Sequence, residues 1–115
     1  MSRLEGEQTL MRIFVGESDR WHGKVLYEAI VERLREEGCA GATVLKGAMG
    51  FGASSIIHTD RILRFSEDLP VVIEVVDLPE RVQMLLPLLD EMISGGMVTL
   101  ERAHVIRYRA EQTQA

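Results

Sequence analysis

The apolar residues of this chain switch from strand-like to helix-like spacing and back, twice. That order restricts the fold more than any other feature of the sequence. Residues 9–15 are too densely apolar for simple alternation, as in a strand covered on much of both faces, and Gly16 ends the run. Between 24 and 37 the period becomes helical. Leu26, Tyr27, Ile30, Val31 and Leu34 share one face, with Glu28, Glu32, Arg35 and Glu36 opposite them. Gly38 then offers the left-handed conformation that helix ends use. Strand character returns from Ala42 to about Met49, and again at Pro70–Asp77, a β-branched run with proline at its permitted first position. Asp77-Leu78-Pro79-Glu80 reads as a helix start, with an acidic cap, a first-turn proline and a glutamate three residues on. Val82, Leu85, Leu86, Leu89, Met92 and Ile93 form that helix's buried stripe, and Pro87 within it predicts a kink. Gly95-Gly96 closes the helix, and residues 97–108 form the last strand.

A β-α-β-(long connection)-β-α-β order built from two right-handed units predicts an α+β, ferredoxin-like βαββαβ sandwich. Its four-stranded antiparallel sheet carries both helices on one face. Strands rich in Val, Ile and Leu on both faces call for a partner subunit across the other face. The 115 residues read as a single domain with a core of about 7–108 and a polar tail at 109–115. Eighteen acidic against thirteen basic residues, a net charge of -5, argue against nucleic-acid binding while leaving room for a local anion pocket. Cys39 stands alone, which excludes an intrachain disulfide and a cysteine metal cage and suits a small, half-buried residue. The opening residues lack an apolar core of signal-peptide length and no apolar run approaches 18 residues, so a soluble, cytoplasmic protein without membrane insertion is expected.

The chemistry concentrates where the second strand breaks. Gly47, Gly50 and Gly52 interrupt it around Phe51, and Ser54, Ser55, His58 and Arg61 follow in a stretch from 52 to 69 that has no sustained period. The spacing matches neither dinucleotide fingerprint. Glycines admit backbone N–H groups to a phosphate and serine hydroxyls add donors, whereas a tight bend with close strand packing explains the same residues. A second cluster, Glu17 with Trp21 and His22, lies between the first strand and first helix, an edge that commonly hosts ligands. Trp21 there either stacks on a base or covers the helix end. The histidines at 22, 58 and 104 lack a short metal spacing, and Glu67-Asp68 reads as a solvated loop end. Arg102 and Arg107, five apart, fall on opposite faces of the last strand.

These residues together resemble the domain-of-unknown-function 190 family of PII-like proteins. The carriers are residues 10–17, Gly23-Lys24, Leu26-Tyr27-Glu28, Gly41-Ala42-Thr43-Val44, Gly47-Ala48-Met49-Gly50-Phe51-Gly52, His58 and residues 69–77, with G-x-M-G-F-G the most specific. The resemblance implies a homotrimer that binds an adenine nucleotide between subunits and needs no fixed cofactor. It implies that residues 52–69 correspond to the T-loop through which PII proteins address a partner, often a membrane transporter. Gly50, Phe51 and Gly52 would contact ligand at the loop base, with His58 and Arg61 farther out. The chain departs from PII proteins in two respects. Only Ser94-Gly95-Gly96 stands where they carry a phosphate-binding Gly/Lys run, and no tyrosine lies between Tyr27 and Tyr108 to match their uridylylated residue. A signalling protein without catalytic residues is therefore expected, with a CutA-like divalent-metal trimer and a small metabolic enzyme as the alternatives.

Overall fold

The computed structural model describes residues 2–50 and 68–110. Their elements run β1 (Ser2–Gly16), β2 (Arg20–Trp21), β3 (Lys24–Val25), α1 (Leu26–Glu36), β4 (Thr43–Lys46), β5 (Pro70–Asp77), α2 (Pro79–Met92) and β6 (Met97–Arg109). The main sheet is antiparallel in the order β4-β5-β1-β6, and β2 and β3 form a separate small hairpin. This is the ferredoxin-like α+β arrangement expected from the period switches.

Parity along the strands separates the two faces of the sheet. Met11, Ile13 and Val15 of β1 and Val71, Ile73 and Val75 of β5 are buried beneath the helices, which contribute Leu26, Ile30, Leu34, Val82, Leu85, Leu89 and Met92 to the same core. On the other face, register aligns Leu45, Val72, Phe14 and Met97 in one row across all four strands, with Leu45 and Met97 about half exposed. Beside that row Arg12 bonds Glu74 through Nε at 2.8 Å and Glu101 through Nη1 at 2.7 Å, fastening three strands together.

Four boundaries differ from expectation. β1 begins at Ser2, not Thr9, because residues 2–8 pair with residues 103–109 of β6 in a two-stranded ribbon beyond the reach of β5. Lys24 and Val25 belong to the hairpin with Arg20 and Trp21, so α1 starts at Leu26. β4 stops at Lys46, short of Met49. Asp77 is not the cap of α2. Pro79 at the first helical position makes Leu78 the N-cap, and the Asp77 carboxylate instead accepts the N–H groups of Leu78 (2.8 Å) and Ala40 (3.3 Å). Arg81 completes that junction, 3.4 Å from the Asp77 carboxylate and donating to the Glu37 carbonyl. The end of α1 follows expectation. Gly38 has φ +83°, and the Cys39 and Gly38 N–H groups return to the carbonyls of Leu34 and Arg35 in a Schellman closure. α2 is continuous through Pro87.

Candidate functional site

Because neighbouring strands are antiparallel, the C-terminal ends of β1 and β4 and the N-terminal end of β5 meet at one rim of the sheet. Three residues singled out from sequence meet there around Leu69 and Pro70. The Glu17 N–H donates to the Leu69 carbonyl (2.8 Å) and the Gly47 N–H to the Pro70 carbonyl (2.7 Å). A Cβ on Gly47 would lie 2.7 Å from Pro70 Cγ, and one on Gly50 3.1 Å from the same atom. Close backbone packing therefore accounts for Gly47. Its N–H is already occupied and does not face an anion.

The charged groups at this rim are paired. Lys46 Nζ lies 3.1 Å from Glu17 Oε2 and 5.5 Å from the ring centroid of Tyr27, in the first turn of α1. Glu17, and after it Tyr27, hold the lysine's pKa above its ordinary value. Ser18 donates its N–H (3.3 Å) and hydroxyl (3.0 Å) to Oδ1 of Asp68, and the Gly16 N–H donates to Oδ2 of Asp19 (2.9 Å). Asp68 is thus a partner that ties the loop after β1 to the entry of β5, not a solvated loop end. Sequence reasoning did not place Lys46, Tyr27, Asp19 or Asp68 among the candidate site residues. Asp19, three residues beyond Gly16, had a local turn signal. The Lys46–Glu17 and Ser18–Asp68 pairs span 29 and 50 residues, and only the strand order brings them together.

Trp21 and His22 stack on each other with centroids 4.1 Å apart and planes 11° from parallel. His22 takes φ +50°, an uncommon conformation for a residue with a Cβ, and Trp21 packs against the core. One face of the indole is therefore covered from within the hairpin. His104 is remote from this cluster. It lies in the ribbon, 2.7 Å from Glu5, about nine β1 residues or roughly 30 Å from the rim. Among the described residues no group of three or more His, Cys, Asp or Glu is arranged to hold a metal ion. Phe51, Gly52, Ser54, Ser55, His58 and Arg61 lie outside the described residues. Cys39 is half-buried, and burial, then Asp77, push its thiol pKa up, as suits packing and not nucleophilic chemistry. No helix of the described residues is long and apolar enough to cross a membrane.

The model of the domain-of-unknown-function 190 family, described as an uncharacterized ACR, matches residues 8–105. A UPF0166 protein of Methanocaldococcus jannaschii is 37% identical over 99 residues, covering 85% of this chain and 91% of the relative. Another from Aquifex aeolicus is 35% identical over 103 residues, covering 87% and 94%. Among solved structures, a PII-like signaling protein from Thermus thermophilus superposes with a TM-score of 0.60 at 20% identity, covering 91% of this chain and 93% of that one. CPII from Thiomonas intermedia, solved bound to ADP, AMP and acetate, superposes with a TM-score of 0.58 at 17% identity, covering 91% and 92%. At such identities the structural likeness is one of fold.

Proposed function

The chain belongs to the domain-of-unknown-function 190 family, and from that premise we propose that it is a PII-like regulator, not an enzyme, which binds an adenine nucleotide or similar small anion at the rim around Leu69 and Pro70. The observation that carries this reading is the convergence of Glu17, Gly47 and Gly50 on Leu69–Pro70. Those contacts flank the two points where the chain leaves and re-enters the sheet around residues 52–69. A ligand seated there acts on both ends of that segment at once, and its preference for one arrangement of the segment is the signal. The reading extends to Phe51, Gly52, Ser54, Ser55, His58 and Arg61 as further ligand contacts and to a regulated partner protein, a membrane transporter among the candidates. CPII, which shares the fold, has been solved with ADP and AMP. The proposed assembly is a cytoplasmic homotrimer of one 115-residue PII-like domain. It is supported by the row of Leu45, Val72, Phe14 and Met97, whose two ends, Leu45 and Met97, are about half exposed and which a second subunit would cover.

Calorimetric titration with AMP, ADP, ATP and cyclic dinucleotides tests the reading, with Gly50→Val as the site variant. Gly50 has φ +154° and no room for a branched side chain beside Pro70, so the variant is expected to lose binding. Absence of binding to every nucleotide by the wild-type protein removes the proposal. Unchanged affinity in Gly50→Val places the ligand away from this rim.

A further inference from the structure

The Lys46–Glu17 pair carries an inference about how the rim selects its ligand, and it rests on the reading of that rim as a ligand site. Both side chains are rooted in fixed backbone. Lys46 is the last residue of β4, paired with Val71 and followed by the Gly47–Pro70 hydrogen bond, while Glu17 is held by Leu69. Their side chains therefore meet without freedom at their base. An ordinary exposed ion pair contributes little and leaves a long lysine mobile. Here the ammonium also lies near the face of the Tyr27 ring, so a third element, α1, helps to place it. The lysine side chain is 53% exposed and the glutamate 30%, so the ammonium is the more open to solvent of the two. Nearby backbone donors are engaged: Gly16 with Asp19, Glu17 with Leu69, Ser18 with Asp68 and Gly47 with Pro70. These four N–H groups are therefore committed to protein partners, whereas Lys46 brings a full positive charge to an incoming anion.

We infer that Lys46 is the residue that reads the ligand's phosphate, and that Glu17 is a built-in competitor which occupies the lysine until a phosphate displaces it. The exchange is selective by charge. A phosphate with up to two negative charges outcompetes a single carboxylate for the same ammonium, and an uncharged nucleoside cannot compete. Removing the competitor strengthens phosphate binding, and removing the lysine abolishes the discrimination between nucleotide and nucleoside.

The test compares ADP, adenosine and inorganic pyrophosphate by calorimetry on the wild-type protein, Lys46→Met and Glu17→Gln. Thermal melts establish that these exposed substitutions leave the fold intact. Lys46→Met is expected to weaken ADP and pyrophosphate binding by roughly 10- to 100-fold while leaving adenosine unaffected. Glu17→Gln is expected to strengthen ADP and pyrophosphate binding several-fold, again without effect on adenosine. Equal losses for ADP and adenosine in Lys46→Met, or no loss of ADP, overturn the inference. If no nucleotide binds but pyrophosphate binds in a Lys46-dependent way, the phosphate-reading role stands and the nucleotide reading falls. If pyrophosphate and nucleotides are both indifferent to Lys46, the role falls, whether or not nucleotides bind.

Discussion

Replacing Gly96 by alanine isolates a purely steric demand of the fold. Gly96 lies in the turn between α2 and β6, and its φ is not in the left-handed range, so alanine meets no backbone penalty there. An added Cβ would nevertheless stand 2.5 Å from the Phe14 carbonyl oxygen, 3.1 Å from Ile93 Cγ2 and 3.3 Å from Val15 Cγ1. Normal carbon–oxygen contact requires a retreat of roughly 0.7 Å or more. Phe14 cannot supply it cheaply, because its strand is paired with Val72 on one side and Met97 on the other. Overpacking of this kind costs about 1–3 kcal/mol, and rigid backbone on one side of the clash puts Gly96→Ala in the upper half of that range. The melting temperature should fall by about 8–12 °C. Urea titrations at fixed protein concentration, which any self-association requires, should show a lower midpoint with unchanged slope. Gly6→Ala is the control, because a Cβ on Gly6 meets nothing within 4 Å, and its change should stay within about 0.5 kcal/mol. A Gly96→Ala midpoint indistinguishable from wild type would refute the reasoning, as would a Gly6→Ala loss of equal size.

Gly38→Ala tests the opposite mechanism. Its Cβ would find only the tip of Arg81 at 3.5 Å, but φ is +83°, so a loss of about 1–2 kcal/mol should arise from conformation alone, and Gly38→Asn should recover part of it in urea titrations. Ile13→Ala removes a fully buried side chain between β5 and the helices and should cost about 2–5 kcal/mol by the same assay. The His104–Glu5 pair should give a signed pH dependence. His104's pKa is raised above 6.5 chiefly by Glu5, so its contribution is complete below 6.5 and lost as pH rises through the folded value. Glu5's is lowered below 4.5 chiefly by His104, so its contribution is present above 4.5 and lost as pH falls through the folded value. The stability difference between wild type and His104→Gln should therefore be greatest between 4.5 and 6.5 and fade at either extreme; a flat difference across pH would dismiss the pair. Cys39 should react with iodoacetamide at neutral pH more slowly than free cysteine and at the free rate once unfolded, which mass spectrometry can follow.

The parts legible in the sequence are those decided locally. The β-branched run of β5 has the bounds its composition announces, and Gly38 closes α1 as its position suggests. The parts that were not legible are decided by partners distant in the chain. Residues 2–8 contain one large apolar side chain, Leu4, and nothing local marks them as a strand. They become one because residues 103–109 lie beside them. Asp77 has the right chemistry for a cap, but Pro79 sets the first turn one residue later, and the carboxylate turns to Ala40, 37 residues away. At the rim, sequence singled out Gly47, which packs closely against Pro70, and did not single out Lys46. Lys46 resembles any strand-end lysine until topology sets Glu17 and Tyr27 against it.

The central position of β1 also dictates the order in which the molecule can be completed. Of the four strands of this sheet it is made first, yet its two neighbours are β5 and β6, the two made last. β4, the next strand of the sheet to be made, pairs only with β5. Until Pro70 has emerged the strand at the middle of the finished sheet has no neighbour, and until Met97 follows, one of its edges stays open along most of its length. Closure by such long-range pairing is slow compared with local helix formation, so a nascent chain exposes Met11, Ile13 and Val15 for much of its synthesis. Fragments ending before Met97 keep that open edge permanently and should be recovered as aggregates, not as smaller folded domains.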